Sequence, residues 1–144
     1  MGNPPKIKLY LVDDDAVFLK SLEIDFTSTP YFEVVSFQTG EECLAALDEK
    51  PDIIILDYLL DGLNPLAMNG IQTLDGIKAK DDNIPVIMLS GQDRIQVAVD
   101  CMHHKAFDYI VKSETAFLRI ERTIADILKI KKMKSQLEWY MDRM

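Results

Sequence analysis

Short apolar runs alternate with longer stretches of helical periodicity along this chain. Residues 8–12 form a strand-like run. Residues 16–26 carry Phe18, Leu19, Leu22 and Phe26 at spacings that share one helical face. Residues 32–37 are rich in β-forming side chains, and 40–47 predict a short helix. The run 52–56 is continuously apolar, as expected of a strand buried on both faces. A helix-compatible segment follows at 70–80. The strand-like run 85–89 has proline only at its start, where a strand tolerates it. A helix at 95–104, a fifth strand at 107–111 and one helix-compatible stretch over 115–144 complete the pattern. Five strand-helix units of this kind predict an α/β fold, a parallel sheet with helices on both faces. The one long connection, 58–69, contains Gly62 and Pro65 as breakers.

Composition narrows the class of partner. The chain has 144 residues, which favours one domain with a real core, and a net charge of −8. That charge argues against binding nucleic acid or an anionic membrane surface through these residues. Cys43 and Cys101 both sit in apolar-patterned segments and read as reduced, inert thiols. No apolar signal-peptide region and no run of membrane-spanning length is present, so the expected location is the cytoplasm. Met1-Gly2 opens a myristoylation-like pattern, but Lys6 stands where that motif has Ser or Thr.

In an open parallel sheet, ligands bind beyond the carboxyl ends of the strands. The residues that follow the apolar runs are therefore the candidates. After 9–12 come Asp13, Asp14 and Asp15; after 52–56 comes Asp57; after 85–89 comes Ser90; after 108–111 comes Lys112. Only the second strand delivers nothing beyond Gln38 and Thr39. Asp15 reads first as the N-cap of the helix that follows it. Carboxylates gathered at one edge repel each other, and a hard divalent cation offsets that repulsion. A lysine, a hydroxyl and such a cation together suit a phosphoryl group attacked by a carboxylate.

The segments LVDDD (11–15), IIILDYLL (53–60), NG (69–70), IPVIMLSG (84–91) and DYIVK (108–112), taken in order, resemble the response-regulator receiver domain of bacterial two-component signalling. The resemblance covers about residues 6–131 and implies the flavodoxin-like (βα)5 fold with strand order 2-1-3-4-5. It implies that Asp57 is the phosphoacceptor, with Ser90 and Lys112 serving the phosphoryl transfer. Asp13, Asp14, Asp57 and the Leu59 carbonyl are then the metal ligands, for Mg²⁺ or Mn²⁺. Ser90 and Tyr109 are the switch pair, and Gly91 leaves room for the phosphoryl group. Leu59 and Gln92 flank the acceptor. The implied partner is a sensor histidine kinase or histidine phosphotransfer protein. Such a domain is a signalling switch that promotes its own phosphotransfer and autodephosphorylation, and is not otherwise an enzyme.

Three positions depart from the family pattern. Ser113 follows the lysine where relatives have a proline in a cis bond, so a trans bond is expected. Lys105-Ala106 replaces a usual Gly-Ala. The connection after Asp57 is several residues longer, as expected of an ordered lid-like insertion. A competing resemblance is to haloacid-dehalogenase-like phosphatases, since DDDAV contains D-x-D-x-V, with Asp13 as nucleophile and Asp15 as acid/base. That reading leaves Asp57 unexplained and lacks a later acidic pair. His103 and His104 read as a helical pair without a ligand role, no carboxylate or cysteine being noted at ligand spacing.

The end of the chain carries a second signal. Phe117, Ile120, Ile124 and Ile127 suit docking on the domain, whereas Ile130, Met133, Leu137, Tyr140 and Met144 continue in a shifted register. The expected division is a receiver domain over 6–131 and an extension of the last helix over 132–144. Lys129, Lys131, Lys132 and Lys134 surround the handover and are expected to stay in water. An exposed apolar stripe needs a partner, and the expectation from spacing alone is a homodimer through this helix.

Overall fold

A computed structural model describes residues 6–91 and 93–144, so the Met1-Gly2 pattern and Gln92 lie outside the described residues. The chain runs β1 (Ile7–Val12), α1 (Ala16–Thr27), β2 (Phe32–Phe37), α2 (Gly40–Ala45), a 3-10 turn (Leu47–Glu49) and β3 (Ile53–Asp57). It continues through α3 (Gly70–Lys80), β4 (Val86–Ser90), α4 (Ile95–His103), β5 (Asp108–Val111) and α5 (Ala116–Asp142). All strand pairs are parallel, in the order β2-β1-β3-β4-β5. This is the expected flavodoxin-like arrangement.

Side-chain alternation along the strands divides the core in two. Tyr10, Val12, Ile54, Leu56, Val86 and Met88 pack on the side of α2, α3 and α4, against Cys43, Leu74, Ile77 and Cys101. Leu9, Leu11, Ile53, Ile55, Ile87 and Leu89 pack on the side of α1 and α5, against Leu22, Phe26, Ile120 and Ile124. Every residue of β3 and β4 is buried, as the unbroken apolar runs require.

Local chemistry starts the helices. The Asp15 carboxylate caps α1 by accepting from the amides of Val17 and Phe18. Asn69 and Gln72 form a reciprocal capping box at the start of α3. The predicted helix over 40–47 is shorter than expected. It ends at Ala45 and tightens into the 3-10 turn, and Lys50 at φ 57 turns the chain back toward β3. The Ala46 carbonyl accepts from the Glu49 amide in that turn at 3.2 Å and from the Tyr10 hydroxyl at 2.5 Å.

The last helix is unbroken for 27 residues, about 40 Å at 1.5 Å per residue. Ile127 is its last buried side chain, and residues 129–144 are all exposed. Lys131 leans back to donate to the Asp52 carbonyl at 3.2 Å.

Candidate functional site

The carboxyl ends of β1, β3 and β5 bring three charged side chains together. Asp13 follows β1, Asp57 ends β3 and Lys112 follows β5. By strand alternation all three share the register that faces α1 and α5, in step with Leu11, Ile55 and Ile110. The Lys112 ammonium lies 2.8 Å from Asp13 Oδ2 and 3.5 Å from Asp57 Oδ1. Asp13 and Asp57 are 2% and 3% exposed, so both carboxylates are almost wholly out of water. Asp14, half-buried, completes a trio with Asp13 and Asp57 in which one oxygen from each lies within 4.8 Å of the others.

This cluster carries an unresolved charge. Burial and the neighbouring Asp13 push the Asp57 carboxyl up to about 8, while Lys112 and the Leu59 amide oppose the shift. Burial pulls the Lys112 amine down, but its contacts with Asp13 and Asp57 outweigh that and hold it above its ordinary value. Asp13 Oδ1 accepts from the Asp15 amide at 2.9 Å. Asp13 Oδ2 touches the ammonium, yet among the described residues no hydrogen-bond donor is well aligned with this buried oxygen. Three oxygens, one of them poorly satisfied and buried, form the donor set that a hard divalent cation takes. Asp13, Asp14 and Asp57 therefore fit a metal.

The remaining expected residues lie close by. Ser90 ends β4 and is buried, and its carbonyl accepts from the Lys112 amide at 2.7 Å. Tyr109 pairs with Met88 in the β4–β5 ladder and is half-buried on the opposite side from Lys112. Leu59 is half-exposed, and its amide serves the Asp57 carboxylate. A Cβ at Gly91 would meet nothing within 4 Å, so the space beside Ser90 is open. The Lys112–Ser113 bond is trans, as expected, and no described peptide is cis. Cys43 and Cys101 are buried free thiols, pushed up to about 12 and about 11 by burial.

The long connection after Asp57 is ordered against the site. Leu60 is buried, the Met68 amide donates to the Glu41 carboxylate at 3.2 Å, and a Cβ at Gly62 would sit 3.5 Å from Asp14 Oδ2. Asp15 is exposed and engaged in capping, which counts against its acid/base role in the phosphatase reading.

Sequence reasoning missed three relationships. Phe18, assigned only to a packing face, places its ring under Lys112, with the ammonium 4.5 Å from the centroid. Gly70 starts α3 directly over the end of β3, where a Cβ would come 2.5 Å from the Asp57 carbonyl. The third concerns the histidine pair: His104 Nδ1 lies 2.7 Å from Asp75, and Nε2 3.6 Å from Asp100. Its i−4 carboxylate was visible in the sequence; Asp75, on α3, was not.

A family model for the response regulator receiver domain matches residues 9–122. The chain belongs to that family. Among relatives of this receiver domain, the chemotaxis protein CheY of Listeria monocytogenes is 36% identical over 108 residues, covering 74% of this chain and 86% of that protein. The transcriptional regulatory protein PrrA of Mycobacterium tuberculosis is 32% identical over 106 residues, 73% of this chain but only 43% of PrrA. Among solved structures, CheY of Borrelia burgdorferi, crystallised in a complex with CheX, BeF3 and Mg²⁺, aligns with a TM-score of 0.73 and 27% identity. That match covers 85% of this chain and 89% of the other. NtrX of Brucella abortus aligns with a TM-score of 0.77 and 27% identity over 91% of this chain, which spans 30% of NtrX. Receiver domains of this family are signalling domains of two-component systems.

Proposed function

We propose that this receiver domain accepts a phosphoryl group on Asp57 in a Mg²⁺- or Mn²⁺-dependent reaction, and that the modified site changes its partner-binding surface. The carrying observation is the buried Asp57 beside Asp13, with one lysine ammonium reaching both. The donor in this reading is a phosphohistidine of a cytoplasmic sensor kinase or phosphotransfer protein. An Asp57 oxygen attacks phosphorus, the phosphorus–nitrogen bond breaks, and the histidine nitrogen keeps the electron pair. Asp13, Asp14, Asp57 and the Leu59 carbonyl would hold the cation, which supplies positive charge to the carboxylates and the phosphoryl oxygens. Lys112 balances charge from the other side. Ser90 donates its hydroxyl to a phosphoryl oxygen, and Tyr109 repacks with it. Autodephosphorylation returns the site to its first state, under a lid formed by residues 59–69.

Incubation of the full chain with acetyl phosphate and Mg²⁺ tests this by intact-mass spectrometry. One added phosphoryl group is expected, lost with EDTA and with Asp57→Asn. Equal labelling of Asp57→Asn would remove Asp57 from the role.

A further inference from the structure

The last two turns and more of α5 have no domain beneath them. Ile130 is 43% exposed, and Met133, Leu137, Tyr140 and Met144 are each 60% exposed or more. They recur at spacings of 3, 4, 3 and 4, the seam geometry of a helix that packs against another helix. This seam runs into a concave surface of about 370 Å³ at the sheet end opposite Asp57. Ile130 and Lys134 belong to both surfaces.

Charge distinguishes what fits there. The hollow has an apolar floor that includes Pro85, Phe107 and Ile127, and its rim carries Lys78, Lys105, Lys131 and Lys134 against Asp82 alone. Lys78 and Lys131 donate only to backbone carbonyls among the described residues. Lys105 meets Asp82 at 3.5 Å, with both side chains about two-thirds exposed. A rim of lysines on a chain of net charge −8 is a local reversal of sign. The seam is flanked in the same sense, by Lys129, Lys134 and Arg143, while Glu138 and Asp142 lie on its outer side.

We propose that this continuous surface receives an acidic amphipathic helix of a partner protein, its apolar side on the seam and its carboxylates against the lysine rim. A second copy, the occupant that spacing alone indicated, fits less well. A parallel pair would set Lys129 beside Lys134, and an antiparallel pair would set it beside Arg143, with no carboxylate at either flank. An anionic bilayer would meet the repulsion of the acidic body and could not fill a hollow. The proposal stands independently of phosphorylation at Asp57.

The test titrates the full chain with two synthetic three-heptad peptides. Both have Leu at the seam positions; one is flanked by Glu and the other by Lys. Fluorescence anisotropy should show the Glu peptide binding about tenfold tighter or more, the sum of several exposed ion pairs. High salt should weaken it. Leu137→Glu should abolish binding, and the double variant Lys105→Glu, Lys134→Glu should remove most of the preference between peptides. Circular dichroism and a cooperative thermal transition in all variants verify that each is folded. Equal affinity for the two peptides, or binding of neither, would overturn the proposal. So would sedimentation showing copies that pair through Leu137 more tightly as salt rises, or capture by phosphatidylglycerol vesicles without peptide binding.

Discussion

The Lys112 ammonium sits 4.5 Å from the centroid of the Phe18 ring, so one side of the charge rests on a π-face while the other meets Asp13 and Asp57. An aromatic face attracts a cation electrostatically and costs it less hydration than a carboxylate would. Phe18 is thereby a positioning residue for Lys112. Phe18→Leu keeps the packing volume roughly but removes the quadrupole. Loss of about 0.5–2 kcal/mol corresponds to a fall of roughly two- to thirtyfold in the rate of Asp57 labelling by acetyl phosphate. Phe18→Tyr should restore most of the rate, which a purely volumetric role would not require.

The raised Asp57 carboxyl predicts a pH-dependent stability in metal-free protein. Its folded value, about 8, lies above the ordinary 3.8. The folded state therefore holds a proton that the unfolded state has already lost. This group's contribution falls as pH rises from about 4 to about 8, the reverse of an ordinary salt-bridged aspartate. Metal-free Asp57→Asn should be more stable than the parent, by a margin that widens over that window in urea titrations at successive pH values. Mg²⁺ binding to the parent near pH 7 should release protons, seen by calorimetry in buffers of different ionisation enthalpy. A margin that does not change with pH would show that Asp57 is ionised throughout.

Gly70 allows backbone to approach backbone. Its amide donates to the Tyr58 carbonyl at 3.1 Å, and a Cβ there would fall 2.5 Å from the Asp57 carbonyl and 2.6 Å from that of Tyr58. Neither carbonyl is the tip of a flexible side chain. Gly70→Ala should cost about 1–3 kcal/mol despite alanine's better helix propensity. Chemical denaturation measures the loss, and labelling of Asp57 should slow because the strand end that carries it must shift.

Lys105 occupies φ 73 at the turn after α4, a left-handed conformation that favours glycine. A side chain in this left-handed region costs roughly 1–2 kcal/mol, part of which glycine's greater unfolded entropy would offset. Lys105→Gly should raise stability by about 0.5–1 kcal/mol. A lower melting temperature would mean that the Lys105–Asp82 contact outweighs the backbone strain.

Much of this protein is determined by its sequence alone. Continuous apolar runs at 53–56 and 85–89 have no polar face to expose, so they must be central strands covered on both sides. The residues that end such strands must meet at one edge, which makes Asp13, Asp57, Ser90 and Lys112 candidates before any coordinates exist. Capping by Asp15 was legible for the same local reason, since it bonds amides two and three residues away. Tertiary structure decided the rest, because it depends on distances between segments far apart in sequence. Only packing brings the Phe18 ring beneath Lys112, Asp75 beside His104, and the α3 backbone onto the end of β3 at Gly70. The register that buries Asp13 beside Asp57, and so raises the latter's affinity for a proton, is likewise set by the pairing of β1 with β3. The seam on α5 was written in its spacing, but the lysine rim is assembled from α3, the turn before β5 and α5. Its preference for an acidic partner exists only once those three segments are folded together.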